Sequence, residues 1–268
     1  MDRLGFLGSS DAPILCGYSK LKSPYKLWLE KKGFQFEDFD FRMLREVGNY
    51  LEPLLLKTLS EKMGLPVYGQ QKEVVHPAHS FIRVHIDGLF SEDENIEAKT
   101  GAFGAIFPDG WGEEGSGDIP DGYILQAACQ QECGGYARTH VPVLLRGTFR
   151  HYIVERDREL GEMVIHKMAA FWKSLEDDIP PEIRTPSDVL LRYPKGTGTV
   201  IAADREVRLL LEDLRKTRGF LEQLEERKTN LEVEIKKFMG EADVLTEDGK
   251  RAATWKSDKN GRRTFRLN

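Results

Sequence analysis

The sequence predicts a mixed α/β fold with a long helical extension, and three observations carry that prediction. Strand-like stretches at Glu73–His76, Phe81–Phe90 and Asn95–Thr100 are bracketed by helical patterns. A second pair, His140–Arg146 and Phe149–Glu155, reads as a hairpin and leads straight into an amphipathic run. Beyond residue 204 apolar positions recur three and four apart, a period that belongs to a helix.

Along the chain, Gly8, Ser9 and Ser10 lead into Asp11, which can start a helix running to Cys16. A second helix is expected from Ser23 to Lys31, with Pro24 in its first turn and Gly33 as its stop. In GNYLEPLLLKTLSEKMG, Asn49 would cap a third helix that Gly64 ends. Glu52 stands at capping-box spacing from Asn49, so closing that helix is its plain structural explanation. Pro53 fits only near the same first turn.

After the strands, residues 101–122 are rich in glycine and acid, the composition of a functional loop near a substrate. Tyr123–Cys133 reads as a helix stopped by Gly134 and Gly135, with Gln126 in its first turn. Asp157–Leu175 is a helix whose Leu160, Val164, Phe171, Trp172 and Leu175 belong to a core. The domains expected are 1–180, a linker at 181–203, and an extension at 204–268. In that extension the seam starting at Val207 and Leu210 is coiled-coil-like, but its polar members Thr217 and Lys228 favour packing on the body or a neighbouring subunit. Asp248-Gly249 and Asn260-Gly261 mark turns between short strands.

The chemistry concentrates at Asp87 and, ten residues on, at Glu97-Ala98-Lys99. Strand alternation puts Asp87 beside His85 and Arg83, and Glu97 beside Lys99 with Ala98 turned away. Paired carboxylates can hold Mg²⁺, and an ammonium beside them can orient or deprotonate an attacking water. The competing explanation is that these are solvated residues of a turn.

Composition narrows the class. With no apolar run of membrane length and no secretory leader pattern, the expectation is a cytoplasmic protein without a membrane partner. Cys16, Cys129 and Cys133 are odd in number and unsuited to a disulfide framework or a zinc site; Cys129 and Cys133 read as small buried residues on one helical face. A net charge of -5 does not suggest a nucleic-acid binder, but distribution matters more than the sum. From Gly249 onward Lys250, Arg251, Lys256, Lys259, Arg262, Arg263 and Arg266 face one acid, Asp258, a composition suited to phosphate.

Taken in order, GSSDAPILCGYSKLKSPYKLWLEKKG, GNYLEP, the IDG of 86–88, the EAK of 97–99, the YILQ of 123–126 and the YIVERD of 152–157 resemble the YqaJ-type viral recombinase family. Those proteins are relatives of phage lambda exonuclease within the PD-(D/E)XK nuclease superfamily. The resemblance implies a restriction-endonuclease-like core, a central mixed sheet flanked by helices with the catalytic hairpin at its middle. It implies that Asp87, Glu97 and the Ala98 carbonyl bind metal, that Glu52 reaches a second metal, and that Lys99 and Gln126 hold the water. Isoleucine at 86 replaces the proline of the superfamily label. Arg3-Leu4-Gly5 followed by Ser10 resembles the segment that binds a terminal 5′-phosphate in lambda exonuclease, with Arg3 and Ser10 as the contacts.

The activity so implied is Mg²⁺-dependent 5′ to 3′ digestion of double-stranded DNA ends, with Mn²⁺ able to substitute, in the cytoplasm of a bacterial host. The implied partners are a single-strand annealing protein and further copies of the chain, a ring-like homotrimer being the form that would enclose DNA. Two other readings stand beside it: an endonuclease of the same superfamily, and a non-catalytic DNA-binding assembly protein. The iron-sulfur branch of the superfamily needs four cysteines and is disfavoured by three.

Overall fold

The computed structural model describes residues 4–19, 21–36, 39–100 and 110–268, with backbone alone at 39–42, 44 and 45. Two compact units divide the chain, Met1–Lys195 and Gly196–Asn268.

The first unit opens with a 3-10 turn, Ser9–Asp11, followed by α1 (Ala12–Leu15) and α2 (Pro24–Lys31). The Ser23 hydroxyl accepts from the Lys26 amide at 3.0 Å and Pro24 occupies the first turn, as the sequence leads one to expect. Next comes α3 (Phe39–Met63), which begins ten residues before Asn49. The capping explanation of Glu52 is therefore overturned, since Asn49 and Glu52 both lie inside the helix. Pro53 is interior too. Met43, Val47, Leu51 and Leu55 recur every four residues, and that period carries the helix through Gly48.

Two predicted strands are each broken in two. Phe81–Phe90 becomes β2 (Arg83–Ile86) and β3 (Gly88–Ser91), and β2 pairs with β1 (Lys72–Val75) in a sheet of its own. Asn95–Thr100 becomes β4 (Glu94–Ile96) and β5 (Lys99–Thr100). Helix α4 (Asp121–Gly134) then ends on Gly135, whose φ of +73° suits glycine. A hairpin of β6 (Arg138–Leu145) and β7 (Thr148–Glu155) follows, then α5 (Arg158–Glu176) and α6 (Pro186–Arg192). Residues 181–203, expected as linker, thus include a helix; Asp188 is buried there and accepts from Ser23.

The main sheet is mixed and has β6 at its centre. β7 pairs antiparallel along one edge of β6, while β4 and β5 pair parallel along the other, and β3 pairs antiparallel with β4. The break between β4 and β5 falls at Glu97 and Ala98. Pro142 lies two residues past His140, whose carbonyl accepts from the Glu97 amide at 2.9 Å, so it faces the same edge and brings no N–H to it.

Helices cover the sheet. Leu56 and Leu59 of α3 pack with Phe90 and Ile96, and Ala127 of α4 packs with Val141, Val143 and Tyr152. Leu125, Cys129 and Cys133 of α4 join Val164 and Met168 of α5 and Ile82 and Val84 in a further core. Among the described residues no helix is long and apolar enough to cross a membrane.

The second unit holds α7 (Arg205–Met239) and a three-stranded antiparallel sheet of β8 (Val244–Glu247), β9 (Lys250–Ser257) and β10 (Arg263–Leu267). Asp204 caps α7 by accepting from the Val207 amide at 2.8 Å. Asp248 and Gly249 both have positive φ, the geometry of the hairpin turn read from that dipeptide. Arg263 stacks on Trp255 at 3.7 Å and donates to the carbonyls of Gly240 and Ala242, both at 2.7 Å, which holds the sheet to the end of α7.

Candidate active site

Asp87 occupies the gap between β2 and β3, where the chain leaves one sheet for the other. Its amide donates to the Ile96 carbonyl at 3.1 Å, and its carboxylate accepts from the Ala98 amide at 2.7 Å. Gly88 makes this crossing possible, because a Cβ there would lie 2.6 Å from a Val67 methyl. Asp87 is thereby tied to the other end of the hairpin by a hydrogen bond as well as by strand pairing.

Glu97 is buried at the break between β4 and β5, and both of its carboxylate oxygens accept hydrogen bonds. One oxygen accepts from Lys99 and, at 2.6 Å, from the Gln126 amide. The other accepts from Gln130 at 2.5 Å. Lys99 also donates to the Gln126 side-chain oxygen at 3.0 Å and lies 5.0 Å from the Tyr123 ring centroid. Gln126 is therefore a bridge, donating to the acid and accepting from the amine. Helix α4 supplies Tyr123, Gln126 and Gln130 from one face, as spacings of three and four dictate.

Gln130 is the residue that sequence reasoning missed. It is fully buried; besides Glu97 its amide reaches the His85 carbonyl at 3.2 Å, and its oxygen accepts from Asn95 at 2.8 Å. Thr139 in turn donates to Asn95 at 2.8 Å and accepts from Gln131 at 3.0 Å. The signal that was available is its place four residues after Gln126, on the same helical face.

Electrostatics reflect this crowding. Burial pushes the Asp87 carboxyl well above the usual range, and the Glu97 and Glu52 carboxylates push it further. Glu52 is raised too, by burial first, with Gln71 opposing and Glu97 adding to the rise. Burial alone would lower the Lys99 ammonium, but the Glu97 carboxylate and then Tyr123 and Asp87 outweigh it, so Lys99 stays raised and keeps its proton.

The structure thus gathers Asp87, Glu97, Ala98, Lys99 and Gln126. Glu52 is coupled to them through charge, while its carboxylate accepts from Gln71 at 2.6 Å. Among the described residues no three His, Cys, Asp or Glu side chains form a ready-made metal cluster. Arg3 lies outside the described residues, as does 101–109 of the expected loop. Ser10 is exposed on the 3-10 turn, and it is Ser9 that is buried against the site, its hydroxyl 3.5 Å from Gln126 and 3.4 Å from Gln130. That turn is held by Leu7, which bonds Phe81 and Arg83 through its backbone at 2.7 and 2.9 Å.

An acid between two sheets, a second acid and a lysine on the neighbouring strand, and a glutamine from the adjoining helix define a class: α/β proteins with a carboxylate-lysine centre at a sheet break. The YqaJ-like viral recombinase domain matches residues 1–137, and the chain belongs to that family. Uncharacterized protein YqaJ of Bacillus subtilis (strain 168) is 30% identical over 176 residues, 64% of this chain and 54% of that protein. The chain therefore spans about half the length of the curated relative it matches. Among solved structures, an alkaline exonuclease from Laribacter hongkongensis is 19% identical with a TM-score of 0.49, covering 66% of this chain and 91% of its own. A phage related exonuclease from Haemophilus somnus 129PT is 14% identical with a TM-score of 0.46, covering 65% and 95%.

Proposed function

We propose that this chain is a metal-dependent exonuclease that digests double-stranded DNA from 5′ to 3′, leaving 3′ single-stranded overhangs for a single-strand annealing protein. The observation that carries this reading is the convergence of Glu97, Lys99 and Gln126 beside Asp87 in a member of the YqaJ-like viral recombinase domain family.

The oxygen-only donors suit a hard divalent cation; burial first, and then repulsion from Glu97 and Glu52, raises Asp87, and that repulsion is what such a cation would relieve. Mg²⁺, or Mn²⁺ in its place, would be held by Asp87, Glu97 and the Ala98 carbonyl, with Glu52 as a further carboxylate. When bound, it supplies charge neutralisation at the phosphodiester and a lower pKa for water.

The protein's own side chains position and stabilise. Lys99, whose ammonium the Glu97 carboxylate favours, orients the attacking water and faces the charge that grows on the phosphoryl oxygens. Gln126 holds the ammonium and the Glu97 carboxylate in one arrangement. The water gives up a proton to solvent as its oxygen bonds to phosphorus and the bond to the 3′-oxygen breaks, that oxygen takes up a proton from solvent, and the shortened strand keeps a 5′-phosphate. Arg3 and Ser10 would hold that phosphate by a guanidinium fork and a hydroxyl. Binding along the duplex is to phosphate, so activity falls steeply with salt.

A time course on linear duplex labelled at either 5′ or 3′ end, with and without Mg²⁺, tests the reading, with a covalently closed circle alongside. Early release of the 5′ label only with Mg²⁺, and an intact circle, is the result expected. Cutting of the circle would make the protein an endonuclease, and binding without any cleavage would make it an assembly protein.

A further inference from the structure

Helix α7 carries a contact surface that nothing in its own unit uses. Its 35 residues extend about 52 Å at 1.5 Å per residue. Of all these only Met239 is buried, at the end where Lys236 lies 4.9 Å from the Phe265 ring and the small sheet begins. Upstream, nothing in its own unit covers the helix: Leu210 is 63% exposed, Leu214 49%, Leu221 57%, Leu224 59% and Leu231 56%. Such large apolar side chains in one stripe are not a stable surface in water, and helices draw most of their stability from covering that stripe.

The stripe has the period of a two-stranded coiled coil. Val207, Leu214, Leu221, Lys228 and Ile235 fall seven apart and define the a positions. Leu210, Thr217, Leu224, Leu231 and Phe238 define the d positions. The a positions hold valine, two leucines and isoleucine against leucine at three of the d positions, and the polar member at a, a lysine, is the kind of residue that sets register and oligomeric state at a cost in stability. Lys228 suits that role, because its ammonium reaches out to Glu225 at 3.2 Å and leaves its stem along the seam.

Charge then selects the partner and its direction. In a parallel, in-register pair each g residue meets the e residue five further along the other strand. That brings Asp213 to Arg218 and Arg227 to Glu232 of the second strand, two opposite-charge contacts. Glu206 meets Leu211, Phe220 meets Glu225 and Glu234 meets Met239, so no like charges face each other. We propose that α7 docks on the α7 of a second copy of this chain as a parallel, in-register two-stranded coiled coil.

Cysteine cross-linking of the full chain tests the contact and its direction together. Leu210→Cys and Leu231→Cys stand near opposite ends of the seam, and each should form a disulfide-linked dimer with its own copy under mild oxidation. Glu226→Cys, on the far side of the helix, gives the background from the native cysteines. Cross-linking of both seam variants no better than that background would overturn the proposal. So would linkage of Leu210→Cys only to Leu231→Cys in a mixture, which means antiparallel strands. In sedimentation, Leu221→Glu should lower the assembly mass by about half with helical circular dichroism retained, as loss of a two-fold contact requires; an unchanged mass would equally overturn it.

Discussion

The Gln130 amide lies 2.5 Å from the Glu97 carboxylate, fully buried beneath the surface that Gln126 and Lys99 present. Through Asn95 and Thr139 this bond continues into the strands β4 and β6, so the acid is held by a chain of partners anchored in the sheet. Replacing Gln130 with alanine leaves Glu97 and Asn95 short of partners. The expected result is a loss of about 1–3 kcal/mol of stability and about 10- to 100-fold in cleavage rate. Thermal melting beside a rate assay checks it; full activity in a folded variant would free Glu97 of any dependence on this support.

Lys99→Ala should reduce cleavage at least about 100-fold, because it removes an ammonium from a site of developing negative charge. Duplex binding, measured by fluorescence anisotropy, should change little, since phosphate contacts elsewhere carry affinity. Retained cleavage would take the lysine out of the mechanism.

Asp87→Asn should separate stability from activity. The raised Asp87 carboxyl means that ionising it costs the metal-free fold stability, a loss that begins as pH rises above the ordinary carboxylate range and grows until pH passes the raised value. The asparagine variant should melt higher than the parent at pH 7 without metal, yet show no cleavage and no stabilisation by Mn²⁺. A lower melting point would mean that its bond to the Ala98 amide matters more than the repulsion.

His140 and His151 set an acid limit on the fold. Their Nδ1 and Nε2 atoms lie 2.9 Å apart, which needs one neutral ring to accept. Burial, then the charge of His140, lowers His151 from 6.5 to about 4. The unfolded chain takes up that proton first, so stability is full above pH 6.5 and declines towards pH 4, by up to about 3 kcal/mol. Melting temperatures across that window should fall less steeply in His151→Gln; parallel slopes would count against the assignment.

Arg3→Ala should slow digestion of 5′-phosphorylated ends while leaving 5′-hydroxyl ends at their own rate. Equal loss on both, in a competition assay with the two ends, would assign Arg3 to general duplex binding.

Local chemistry was legible wherever a single residue type has one use. Ser23 with Pro24, Gly135 after α4 and Asp248-Gly249 all stand where the sequence indicates, since each satisfies a backbone requirement within a few residues. Asp87, Glu97, Lys99 and Gln126 were legible too, as residue types at a spacing. The start of α3 was not, because a good cap at Asn49 competes with an apolar period that runs through it.

What the sequence by itself determined is therefore the order of the principal helices and strand regions, α6 excepted, and the identity of the charged residues at the hairpin. What only tertiary structure decided is where the strands break and which partners the acids meet. Asp87 leaves its strand because Gly88 lets β3 join a different sheet from β2, and Glu97 sits at a second break beside Pro142. Gln130 reaches Glu97 only because α4 packs across that gap. Contacts between segments distant in the chain depend on the packing of whole elements, and no local pattern of residues encodes them.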